Sequence, residues 1–348
     1  MKNLHLLLIL ALAACGAPFE SPPRESTALG TSAVVGDSIG VSASSHLYVS
    51  FTSATGNGLI NRYSLVKGVP SQKPDRTYNG YGGLLSMGSD GTLYVGDGTP
   101  SGTVIIYVFP PNRTKPDREI EIPDLGSHCG YVSSAFTTVS GLGTDSLGHL
   151  FAAIYTYHDA ARRREGGRHA PPPGRWPCSG VVVYAPHARG KARPLGVIDS
   201  GHRAPVSLAV DAGDDLYVAF DQRVVEYANA IVKPTIARVF HGDTIGPVRS
   251  VALDAGGNIF IASTTYGYTA GWIDRYSPGA NGHRPPTSQI TLPASKYHFL
   301  PSIAVQGRVL YADDNSDGVD LYHSRQNGDQ SPFYSFSSHD VASIATGP

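Results

Sequence analysis

One unit recurs six times along the chain, and few folds accommodate that. Each copy opens with a short apolar strand and a polar turn. An aliphatic residue followed by Tyr or Phe comes next. The copies are Ser38–Val41 with Leu47-Tyr48, Leu84–Met87 with Leu93-Tyr94, and Ser140–Gly143 with Leu150-Phe151. They continue as Ser207–Val210 with Leu216-Tyr217, Ser250–Leu253 with Ile259-Phe260, and Ser302–Val305 with Leu310-Tyr311. Turns such as Asp90-Gly91 and Asp254-Ala255-Gly256-Gly257-Asn258 supply the residues a tight hairpin needs. A third strand ends in Tyr63, Phe109, Tyr184, Tyr227, Tyr276 or Tyr322. A fourth begins near Pro74, Pro116, Pro194, Pro234, Pro286 or Pro332, where a missing N–H harms no inner ladder. Four antiparallel strands cannot bury both of their faces alone, whereas units set radially bury one another. The expected fold is all-β: a β-propeller of six four-stranded blades around a central channel. The tail Ala342–Thr346 repeats the first-strand pattern that Ser38–Val41 already shows, so a partial seventh blade remains the alternative.

Composition agrees. Of 348 residues only 16% are charged, too few for a solvated helical bundle, while 40 Gly and 26 Pro suit a turn-rich strand protein. Net charge is −1, which provides no global field for nucleic acid.

The units resemble NHL-type repeats, whose copies read P-x-G-I-A-V-D-x-x-G-N-I-Y-V-A-D. Ser250-Val251-Ala252-Leu253-Asp254-Ala255-Gly256-Gly257-Asn258-Ile259-Phe260-Ile261-Ala262 carries the resemblance best. It departs where Ser42 and Gln306 replace the turn Asp. It implies a propeller over residues 37–348 and no particular activity.

The first residues read differently. After Met1-Lys2-Asn3, the apolar run Leu4–Ala14 is too short to span a bilayer but suits a signal peptide. It ends in Leu12-Ala13-Ala14-Cys15-Gly16, which resembles the bacterial lipobox. That resemblance implies cleavage after residue 14, acylation of Cys15, and an exported lipoprotein of the cell envelope. Gly16 favours the outer over the inner membrane. Residues 15–36, with Pro18, Pro22 and Pro23, read as the lipidated Cys and a flexible tether.

Two cysteines remain, Cys129 and Cys178. In a four-stranded blade, the connection between strands two and three emerges beside the one leading to the next blade. Both cysteines therefore belong to one end of the third blade, and a disulfide is expected in an exported protein. Two free thiols is the alternative, because sequence does not establish their separation.

This bridge would pin the longest insertion, residues 157–180. It holds Arg162, Arg163, Arg164, Arg168, Arg175 and Trp176, read either as a basic flap for an anionic partner or as a solvated loop. The same end collects aromatics: Tyr78, Tyr81, Tyr131, Tyr155, Tyr157, Tyr266, Tyr268, Trp272 and Tyr297. Tyr266, Tyr268 and Trp272 are the aromatic ligand candidates beside the flap.

Metal and catalytic signals are weaker. Among the blade-leading histidines, His202, His298 and His339 stand where they could ring the channel mouth. Asp313-x-Asn315-x-Asp317-Gly318 resembles the start of a calcium loop, but its twelfth position is Ser324. A hairpin turn is the plainer reading, and no resident cofactor is expected. Gluconolactonase-like hydrolases and streptogramin lyases are the enzymes this chain invites comparison with. The first resemblance implies carboxylates around a channel metal. Here the channel-facing strand ends offer Ser38, Ser140, Ser207, Ser250, Ser302 and Ser343, with Asp37 the one adjacent carboxylate. The reading is therefore a monomeric, lipid-anchored binding or scaffold module for a protein, glycan or anionic ligand, with an enzyme of those types the alternative.

Overall fold

In a computed structural model, the described residues are 45–51, 58–98, 103–122, 136–157, 179–200, 203–241, 246–266, 270–281, 284–292, 302–313, 318–337 and 341–348. Every described residue lies in the compact unit Ile39–Pro348. Among the described residues all regular elements are strands.

Blade 1 contains β1 (His46–Phe51), β2 (Leu59–Val66), the two-residue β3 (Val69–Pro70) and β4 (Arg76–Asn79). Blade 2 is β5 (Leu84–Met87), β6 (Leu93–Gly98), β7 (Val104–Phe109) and β8 (Arg118–Ile122). Blade 3 is β9 (Phe136–Thr144), β10 (Leu150–Tyr157), β11 (Ser179–Tyr184) and β12 (Gly196–Asp199). Blade 4 is β13 (Pro205–Val210), β14 (Leu216–Phe220), β15 (Arg223–Ala228) and β16 (Thr235–His241). Blade 5 is β17 (Val248–Leu253), β18 (Ile259–Thr264), β19 (Gly271–Tyr276) and β20 (Ser288–Thr291). Blade 6 is β21 (Ile303–Gln306), β22 (Val309–Asp313), β23 (Gly318–His323) and β25 (Tyr334–Ser337), with β24 (Gly328–Asp329) lying parallel to β20. The last strand, β26 (Val341–Gly347), returns to pair antiparallel with β1. It fills the inner position of blade 1 and closes a ring of six blades. Ser38–Val41, expected in that position, lies outside the described residues.

The repeat shows in the register. The second-strand aliphatic faces the third-strand aromatic in every blade: Leu47↔Tyr63, Leu93↔Phe109, Leu150↔Tyr184, Leu216↔Tyr227, Ile259↔Tyr276 and Leu310↔Tyr322. The next residue along, a Tyr or Phe, points the other way, because strand side chains alternate. It packs into the following blade. Tyr94 thus joins Leu150 and Tyr184, and Tyr217 joins Ile259 and Tyr276. Tyr311 joins Leu47 and Tyr63 across the closure. Six apolar clusters result, one per seam. Second strands such as Leu216–Phe220 are buried at every residue, so they read as unbroken apolar runs. Each fully buried large apolar side chain contributes roughly 1.5–3 kcal/mol.

The prolines mark the outer strands. Pro74, Pro116, Pro194, Pro286 and Pro332 each stand two residues before the fourth strand. The residue between donates its N–H to the third strand, as Asp75 does to Arg62 O and Phe333 to Leu321 O. A Pro in that place shortens the strand without costing a ladder bond.

The turn Asp of the repeat is structural. Asp211 Oδ1 accepts the N–H groups of Gly213 and Asp215, and Asp254 Oδ1 those of Gly256 and Asn258. Gly257 sits at φ +73°, and Asp214 takes the matching place at φ +65°. Asp214 turns its carboxylate onto Ser146 of blade 3, with oxygens 2.7 Å from the backbone N and 2.8 Å from Oγ. These hairpins, and the connections between third and fourth strands, form what we call the turn end. Connections between second and third strands, and those leading into each blade, form the loop end.

Candidate functional site

The inner-strand serines do not line the channel as expected. Ser250, Ser302 and Ser343 are only 4, 7 and 3% exposed, and their hydroxyls turn to the next blade. Ser207 Oγ accepts Val251 N–H at 3.3 Å, Ser250 Oγ accepts Ile303 N–H at 3.2 Å, and Ser302 Oγ accepts Ile344 N–H at 3.1 Å. Ser343 Oγ accepts Leu85 N–H at 3.1 Å. Ser140 Oγ instead donates to Pro205 O at 2.6 Å. The inner strand of each blade is a sheet edge with unpaired N–H groups. A short hydroxyl satisfies one of them without opening the seam.

The loop end is where the sequence concentrates candidate ligand residues. Tyr266 is 70% exposed, and its hydroxyl accepts a hydrogen bond from Gln222 Nε2 at 2.7 Å. Trp272 is half-buried on β19, its ring 3.1 Å from the Cβ position that Gly246 leaves empty. Tyr78 is buried in the blade 1–2 seam, and Tyr81 packs edge-on against Phe109 at 4.9 Å. Tyr78 is core and Tyr81 is partly buried against the same cluster, so neither is a free aromatic of the loop end. Tyr155 is half-buried. Asp313 is buried at the end of β22. β22 and β23 are antiparallel neighbours. Cys15, Cys129, Cys178, Arg162, Arg163, Arg164, Arg168, Arg175, Trp176, Tyr268, His202, His298, His339, Asn315 and Asp317 lie outside the described residues. So do Tyr131, Tyr297 and Ser38.

Two basic residues at this end were not legible beforehand. Arg223 opens β15, its guanidinium 5.6 Å from the centre of the Phe220 ring. Phe220 belongs to the seam between blades 3 and 4. Arg203 is exposed on the connection into blade 4. Burial, and then the charge of Arg203, pull the Arg223 guanidinium below its ordinary pKa. Among the described residues no carboxylate lies within ion-pair distance of either, and the nearby acid of the same hairpin, Asp221, is exposed. β10 ends and β11 begins at this same end of blade 3. Arg203 and Arg223 have no motif, since 20 residues and a whole hairpin separate them. Only the blade's return brings them together.

A second perturbed group sits deeper. Asp274 is fully buried on β19, on the face that blade 5 turns to blade 4. Gln289 Nε2 donates to its Oδ1 at 2.7 Å. Burial pushes its carboxyl up to about 6, and the Gln289 bond only partly opposes that. Among the described residues no three His, Cys, Asp or Glu side chains gather as metal ligands. No helix among them is long and apolar enough to cross a membrane.

No family model matches the sequence, and no curated protein matches it. Among solved structures, the chain is similar to a protein of unknown function from Bacteroides caccae, with a TM-score of 0.53 and 10% identity. The likeness covers 87% of this chain and 98% of that one. At this identity it speaks for the fold alone.

Proposed function

We propose that the protein is a lipid-anchored β-propeller of the bacterial envelope whose loop end binds an anionic ligand, such as an acidic polysaccharide. The observation that carries this is the pair Arg203 and Arg223 at the blade 3–4 seam, with no carboxylate partner among the described residues. Guanidinium groups present planar forks that match carboxylate and sulfate oxygens. Two of them held together, one half-desolvated, gain when an anion arrives. Gln222 and Tyr266 add a polar, flat surface beside them. The five Arg of the 157–180 insertion would extend the same charge, and a Cys129–Cys178 bridge would hold that insertion in place. The inner-strand serines are engaged with backbone groups, which favours a binding module over a channel-centred metal hydrolase.

The anchor rests on Leu12-Ala13-Ala14-Cys15. Intact mass of protein from the native host tests it, with an acylated Cys15 terminus as the expected result. The binding claim is tested with a panel of acidic and neutral polysaccharides. The Arg203→Gln/Arg223→Gln double variant should lose at least tenfold in affinity for the acidic members, about 1.4 kcal/mol, with an unchanged melting temperature. Equal affinity in the variant contradicts the reading.

A further inference from the structure

The turn end carries an unusual surface on blades 3 and 4. Val232 is 90% exposed, Leu147 68%, Ile236 62% and Leu195 54%, and Val197 is exposed beside them. They come from the β9–β10 turn, the β11–β12 connection with the start of β12, and the β15–β16 connection with the start of β16, which the fold sets side by side. A Cβ on Gly148, the residue after Leu147, would lie 3.8 Å from Pro186 at the start of the loop that ends in Leu195. A Cβ on Gly196, after Leu195, would lie 3.0 Å from Ile231 O, and Val232 follows Ile231. Exposed cations border the aliphatics: Arg189, Lys191 and Arg193 on one loop, and Lys233 on the next. Glu121 offsets only Lys191, at 3.8 Å, in an exposed pair. The acidic hairpin of Asp211, Asp214 and Asp215 joins the inner strands of blade 4, as the turn with Leu147 does in blade 3, and Asp214 bonds Ser146 beside Leu147. The cations and the other aliphatics belong to the third-to-fourth-strand connections and the starts of the outer strands, farther from the axis.

Exposed aliphatics bordered by Lys and Arg match a bilayer surface rich in anionic headgroups. The apolar side chains enter the headgroup boundary, and each nearby cation adds up to ~1 kcal/mol. The chain itself indicates this occupant. β1 begins at His46, opposite Gly347 at the last residue of β26, so the polypeptide joins the ring at the turn end. The segment between Cys15 and Ser45 runs to that point.

We infer that the outer rim formed by Leu195, Val232 and Ile236, with Arg189, Arg193 and Lys233, is a second membrane contact that orients the tethered ring. This rests on the anchor proposed above. Acyl chains alone hold a protein at the membrane without fixing its orientation. A turn-end contact directs the loop end, with Arg203 and Arg223, away from the lipid.

The test uses the full-length acylated protein in phosphatidylcholine–phosphatidylglycerol vesicles, with and without brominated acyl chains. Tryptophan reporters are placed by Val232→Trp and, at the loop end, Tyr266→Trp, each compared with the parent protein. Expected is several-fold stronger bromine quenching for Val232→Trp than for Tyr266→Trp. Adding Leu195→Glu and Ile236→Glu should abolish that quenching while the protein still floats with the vesicles. Floating protein whose two reporters are quenched alike, or whose Val232→Trp reporter is not quenched, overturns the orientation alone. Protein that fails to float refutes the anchor, and the orientation with it.

Discussion

Ser343 Oγ accepts the backbone N–H of Leu85 at 3.1 Å, although the two residues are 258 positions apart. The bond joins the strand that closes blade 1 to the first strand of blade 2. It repeats in kind at three other seams, through Ser207, Ser250 and Ser302. At the blade 2–3 seam Leu84 stands in the serine's place, and the crossing bonds there are others: Thr144 Oγ1 donates to Met87 O at 3.3 Å, and Gly190 exchanges backbone bonds with Glu119 and Glu121.

Ser343→Ala therefore leaves the Leu85 N–H buried without an acceptor. A loss of about 1–3 kcal/mol is expected, seen as a lowered midpoint in urea unfolding. Ser146→Ala removes hydroxyl contact with Asp214 in an exposed place and should change stability by less than about 0.5 kcal/mol. Similar losses for the two variants would show that the inner serines do not join the blades.

The buried carboxyl of Asp274 gives a pH signature. Its folded pKa is raised to about 6 from 3.8, so the folded state holds the proton more tightly than the unfolded chain. The stability this contributes is fully present below the unfolded value. It is lost as pH rises from about 4 through 6. The full difference is about 3 kcal/mol by linkage. Asp274→Asn should flatten that decline and melt above the parent at pH 8. Parallel pH profiles for the two proteins would contradict the assignment.

The cysteine pair has its own outcome. Cys129→Ser should lower stability by roughly 4 kcal/mol, because a bridge to Cys178 would close a loop of about fifty residues. Thiol titration of the unreduced, unfolded chain should find neither Cys129 nor Cys178 free. Two titratable sulfhydryls at these positions would exclude the bridge.

Much of the ring could be read from residue order. The second-strand aliphatic–aromatic pair and the third-strand aromatic must appear in each copy, because each blade buries them against a neighbour. The outer-strand prolines mark where a ladder bond is dispensable. The inner strand was less legible. Its serines look like polar channel lining, since a sequence does not reveal that a hydroxyl serves a backbone N–H in another blade. Closure was ambiguous because Ser38–Val41 and Ala342–Thr346 carry the same pattern. Pairing of β26 with β1 assigns the second to the ring. Which aromatics of the loop end are packing was not legible either, since a Tyr beside a loop, as Tyr78 is, looks the same in sequence whether it packs or projects. Arg203 and Arg223 were missed for the converse reason, as their proximity arises only from the fold.

The central claim is that the loop end holds a positive site for an anionic ligand, and its salt dependence tests this most directly. Affinity for an acidic polysaccharide would be measured at low and at physiological ionic strength, for the parent, for Arg203→Gln/Arg223→Gln, and for Arg162→Gln/Arg163→Gln/Arg164→Gln. Exposed charges are screened within about 8–10 Å under physiological conditions. The account predicts that the parent binds more weakly as salt rises, and that both variants bind weakly with a flattened dependence while melting as the parent does. Equal affinity and equal salt dependence in all three proteins would contradict it.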